Sequence, residues 1–72
     1  MRIKYDYSKL CGRIVEKYGS RKAFAKEIGM SEPSLSQRLN NCLDFSQSEI
    51  LRASIALELP EIDSYFFTRY GG

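Results

Sequence analysis

The 72-residue chain has no histidine, only two cysteines and no uninterrupted apolar run longer than three residues. Each shortage excludes a class of function. Without histidine, a nucleophile and its base would have to be assembled from Ser, Lys, Asp or Tyr, and no spacing of these resembles a catalytic set. The chain therefore reads as a non-enzyme, with no catalytic residue and no small-molecule substrate. Cys11 and Cys42 have no second pair and no imidazole to complete a zinc site, so neither a metal nor a cofactor is expected. Both thiols read as buried or half-buried groups in a reducing compartment. A bilayer span needs about 20 apolar residues in succession, which excludes a membrane partner. Met1-Arg2-Ile3-Lys4 leads into no apolar segment of a secretory signal, and the expected location is the cytoplasm.

What is present is the balance of a globular protein, with 43% apolar and 28% charged residues in a length that fits a single domain over 1–72. At this size apolar burial and chain entropy nearly cancel, which favours short helices and local contacts. The net charge of +2 conceals a division. Residues 1–41 hold nine Lys and Arg against four Asp and Glu, whereas residues 42–72 hold two against five. A basic segment joined to an acidic one suggests a face for a polyanion and an opposite face used otherwise.

Hydrophobic period and capping residues predict five helices. Leu10, Cys11, Ile14, Val15 and Tyr18 form an apolar stripe over Tyr7–Tyr18, with Asp6 or Ser8 as cap. Gly12 inside it marks either a close neighbouring backbone or a weakened helix. Gly19 ends that helix, and Ser20 caps a second from Arg21 to Ile28 that buries Phe24, Ala25 and Ile28. Gly29 stops the second helix. Ser31 caps a third that runs to about Asn40, stapled by Met30 and Leu35, with Pro33 in a first turn that needs no amide hydrogen. Ser46-Gln47-Ser48-Glu49 is a capping box flanked by Phe45 and Ile50, so a fourth helix starts at Gln47, buries Ile50, Leu51, Ser54, Ile55 and Leu57, and ends near Glu58 before Pro60. A fifth short helix starts at Glu61 and carries Ile62, Tyr65 and Phe66, the alternative being a strand, since Tyr65-Phe66-Phe67-Thr68 is rich in strand formers.

In the central segment, small Ala25, a turn glycine at Gly29 and the apolar Phe24, Ile28, Met30 and Leu35 sit where two crossed helices need them. Over residues 8–67 this pattern resembles the helix-turn-helix of the phage Cro and CI repressor superfamily. Tyr5-Asp6-Tyr7-Ser8-Lys9-Leu10 and the tail Tyr65-Phe66-Phe67 resemble its short Cro-like and repression-modulator members. The resemblance implies an all-α, compact five-helix, lambda repressor-like DNA-binding domain, with the helix-turn-helix at about 21–40 and an aromatic segment at 61–70. It also implies a switch regulator in a bacterial host cell. Glu32, Pro33, Ser36 and Gln37 would then face bases, Ser34 bases or phosphate, and Arg21, Lys22, Asn40 and Asn41 phosphate, with Lys26 and Arg38 as further cationic candidates. The alternative role for Asn40 and Asn41 is a helix C-cap.

Two partner classes follow. One is operator DNA, bound by a homodimer paired through Tyr65, Phe66, Phe67 and Tyr70. The other is a cognate phage repressor, met directly by the Glu32 edge or the aromatic tail. An acid and a proline at the leading edge of the reading helix lower the expected affinity for DNA. The alternative for the aromatic cluster is core, with the last helix folded back over Leu10, Ile14 and Ile55.

Overall fold

Local chemistry sets most of the helix boundaries. A computed structural model describes residues 3–69, with α1 (Ser8–Tyr18), α2 (Arg21–Glu27), α3 (Glu32–Leu39), α4 (Gln47–Leu57) and α5 (Asp63–Phe66). Gly19 takes φ +81° and Gly29 φ +74°, the left-handed corners that glycine adopts without a Cβ penalty. Ser20 Oγ accepts the Ala23 amide and Ser31 Oγ accepts the Ser34 amide, both at 3.2 Å. The capping box closes reciprocally: the Glu49 amide donates to Ser46 Oγ at 3.2 Å, and the Ser46 amide to Glu49 Oε1 at 2.8 Å. α1 starts one residue later than its apolar period predicts. Asp6 acts from outside the helix, its Oδ1 accepting the Ser8 amide at 2.9 Å together with the Ser8 hydroxyl, and these bonds hold its carboxyl below the ordinary aspartate value. Glu61 likewise lies ahead of α5 and accepts the Ser64 amide at 3.0 Å.

The architecture is all-α, and the described residues contain no strand beyond an isolated antiparallel bridge between Tyr5 and Arg69. α1 packs on α2, α4 and α5, and α2 packs on α3. Tyr7, Leu10, Ile14, Phe24, Ala25, Ile28, Leu35, Leu39, Ala53, Leu57 and Phe66 form the core. The approach of α1 to α4 is close enough for Arg13 Nε to donate to the Leu57 carbonyl at 2.9 Å and the Tyr18 hydroxyl to the Ala56 carbonyl at 3.2 Å.

Three residues of the expected apolar stripes lie outside instead. Val15 is 55%, Leu51 58% and Ile55 68% exposed. The core side of α4 is set by Ala53 and Leu57, one turn apart, and at 100° per residue both Leu51 and Ile55 stand about 200° around the helix from Ala53. Only one side of α4 meets α1, so a helix apolar on both sides must leave one uncovered. Ile55 is therefore not under the last helix, whereas Phe66 is buried with Leu10 and Ile14 as expected. Cys42 is exposed rather than buried, because it sits in the turn after α3, while Cys11 is half-buried.

Gly12 is exposed, and a Cβ built there meets nothing within 4 Å. No neighbouring backbone requires the glycine, so it only weakens α1. Gly12→Ala should stabilise the fold by roughly 0.5–1 kcal/mol and raise the melting temperature by about 2–8 °C, read by circular dichroism.

Candidate functional site

α3 presents a polar stripe outward. Glu32, Pro33 and Gln37 are exposed and Ser36 is half-buried, at the i, i+1, i+4, i+5 spacing that places them on one side of the helix. Lys22 and Lys26 on α2 are exposed, with no ionic or hydrogen-bond partner among the described residues. This much of the expected nucleic-acid surface is available to a ligand.

Other candidates are engaged within the fold. Arg38 donates from Nε to Glu49 Oε1 and from Nη1 to the Ser34 carbonyl, each at 2.9 Å, with the paired side chains 18% and 13% exposed. The same Glu49 oxygen accepts the Ser46 amide, so Arg38 ties α3 to the capping box of α4. Burial alone would raise the Glu49 carboxyl, but the Arg38 guanidinium and the Ser46 amide outweigh it and hold the group below the ordinary glutamate value. Ser34 belongs to the α3 cap, its Oγ accepting the Ser31 hydroxyl at 2.9 Å. Arg21 is half-buried, with Nη2 3.6 Å from Cys11 Sγ. Asn40 is the C-cap of α3 at φ −93°, and the left-handed conformation falls to Asn41 at φ +63°. The Asn41 carboxamide is closed on the N-terminal segment: Nδ2 donates to the Tyr5 carbonyl at 3.0 Å and Oδ1 accepts the Tyr5 amide at 2.9 Å.

The aromatic tail divides residue by residue. Phe66 is 1% exposed and belongs to the core. Tyr65 is half-buried, with Lys9 Nζ 4.6 Å from its ring centroid. Phe67 is 48% exposed, and Tyr70 lies outside the described residues. Phe67, Leu51 and Ile62 line a groove between α4 and α5 with Gln47, Ser48 and Asp63 on its polar edges, and Ile55 extends the apolar side one turn along α4. Sequence reasoning missed Leu51, Ile55 and Ile62 as surface residues. The available signal was the helical wheel, on which two apolar faces of α4 oppose each other.

Among the described residues no group of three Cys, Asp or Glu side chains is placed to hold a metal ion, and no helix is long and apolar enough to cross a membrane.

A model of a family described as protein of unknown function (DUF739) matches residues 3–69. The fold is similar to the solution structure of the modulator of repression of the temperate bacteriophage TP901-1 from Lactococcus lactis. The two chains are 42% identical over 88% of this chain and 86% of that one, with a TM-score of 0.73. No curated protein matches the chain.

Proposed function

The chain belongs to the DUF739 family, and from that premise, together with its likeness to a phage modulator of repression, we propose that it is a small non-enzymatic regulator of a phage genetic switch that acts by binding the cognate repressor protein. The observation that carries this reading is the uncovered apolar face of Leu51, Ile55, Ile62 and Phe67. A small domain gains nothing from displaying three large apolar side chains in one groove with a fourth one turn along α4, and such a patch rimmed by polar groups is the form of a protein-binding surface. The engagement of Arg38 and Asn41 inside the fold supports it, since each removes a contact expected for a phosphate or base. Glu32 adds repulsion at the leading edge of α3.

The operator-binding reading retains one observation in its favour, the outward stripe of Glu32, Pro33, Ser36 and Gln37 beside unpaired Lys22 and Lys26. Fluorescence anisotropy of labelled operator DNA separates the two. In the repressor reading, the chain alone binds weakly and loses that binding at physiological salt, while its addition displaces or alters bound repressor. Saturable, sequence-selective binding by the chain alone would overturn that reading in favour of an operator-binding repressor.

A further inference from the structure

We infer that Asn41 is a positioning residue for the interaction face, acting on Phe67 through Tyr5. The turn that carries Asn41 is fixed to α3: the Asn41 amide donates to the Arg38 carbonyl at 3.1 Å, and the Cys42 amide to the Gln37 carbonyl at 2.8 Å. From this anchored position the Asn41 carboxamide makes the pair of bonds to Tyr5 that a neighbouring strand would make, one donated and one accepted. The other edge of the same segment meets the C-terminal segment, where the Asp6 amide donates to the Thr68 carbonyl at 2.7 Å beside the Tyr5–Arg69 bridge. A single antiparallel bridge is too short to hold two segments in water. The carboxamide supplies the second edge, so residues 5 and 6 lie clasped between the end of α3 and the residues that follow Phe67.

The clasp reaches the candidate surface through the rings. Tyr5 meets Phe67 edge to face, with centroids 5.9 Å apart and planes at 81°. Tyr5 also packs on Tyr7, Tyr7 on Phe45, and Phe45 on the buried Phe66. Phe66 is thus held by the core, whereas the half-exposed Phe67 owes its orientation to Tyr5, which in turn is held by Asn41. Asparagine suits this position for two reasons. Its amide both donates and accepts, and among non-glycine residues it tolerates φ +63° well.

The inference rests on the repressor-binding reading only where affinity is the readout, and the test is arranged to keep the two apart. Asn41→Gly preserves the left-handed backbone and deletes the carboxamide, while Asn40→Gly next to it serves as control. In the free chain, Asn41→Gly should keep its helical circular dichroism, exchange the Tyr5 amide hydrogen at least about tenfold faster, and weaken the nuclear Overhauser contact between the Tyr5 and Phe67 rings. Asn40→Gly should leave both unchanged. Affinity for the cognate repressor should fall about tenfold in Asn41→Gly and show no further loss when Phe67→Ala is already present. A persistent Tyr5–Phe67 contact in folded Asn41→Gly would overturn the inference. So would an affinity loss that simply adds to that of Phe67→Ala. If the Phe67 ring moves in the free chain while neither Phe67→Ala nor Asn41→Gly alters repressor binding, positioning by Asn41 stands and the repressor-binding reading fails.

Discussion

Ile55→Asp should weaken binding to the cognate repressor by at least about a hundredfold while leaving the fold intact. Ile55 is 68% exposed and stands on the side of α4 away from Ala53 and Leu57, so its replacement touches no core contact. Substitutions at such positions change stability by about 0.5 kcal/mol or less. The binding effect is larger, because an apolar anchor buried in an interface is worth about 2 kcal/mol or more, and a carboxylate placed there must also lose its water on docking. The affinity is read by isothermal titration against the purified repressor, and the melting temperature of the free chain serves as the fold control. Unchanged affinity in a variant of unchanged melting temperature would remove the α4–α5 face from the proposal.

Phe66→Ala should unfold much of the population at physiological temperature. A single core in a chain of this length rarely supplies more than about 3–5 kcal/mol of stability, and removing a buried phenylalanine costs about 3–5 kcal/mol through lost transfer energy and the cavity left behind. Phe66 is 1% exposed, packs against Phe45 with centroids 5.2 Å apart, and is the buried residue of a four-residue helix with little intrinsic stability. Phe67→Ala, one position along, should cost less than about 1 kcal/mol, since that ring is half-exposed. Urea denaturation of the two variants checks the contrast, and similar midpoints would contradict the assignment of Phe66 to the core.

The caps illustrate how far local sequence reaches. Ser20, Ser31 and Ser46 were legible because an N-cap is a contact between residues two or three apart, and its chemistry is complete within one turn of chain. The left-handed Gly19 and Gly29 were legible for the same reason. The outward stripe of α3 was also readable, because helical period alone decides which of residues 32–37 share a side.

Arg38, Asn41 and Ile55 mark where that legibility stops. Arg38 and Asn41 carry the polar chemistry of ligand-binding groups, and only the approach of Glu49 across 11 residues and of Tyr5 across 36 engages them internally. By itself the sequence determined the number of helices, most of their ends and the apolar side of α2, all set by contacts within one or two turns of chain. Tertiary structure alone decided which apolar side of α4 is covered and which polar side chains stay available. Those outcomes depend on distant segments competing for the same surfaces, and α1 can cover only one side of α4.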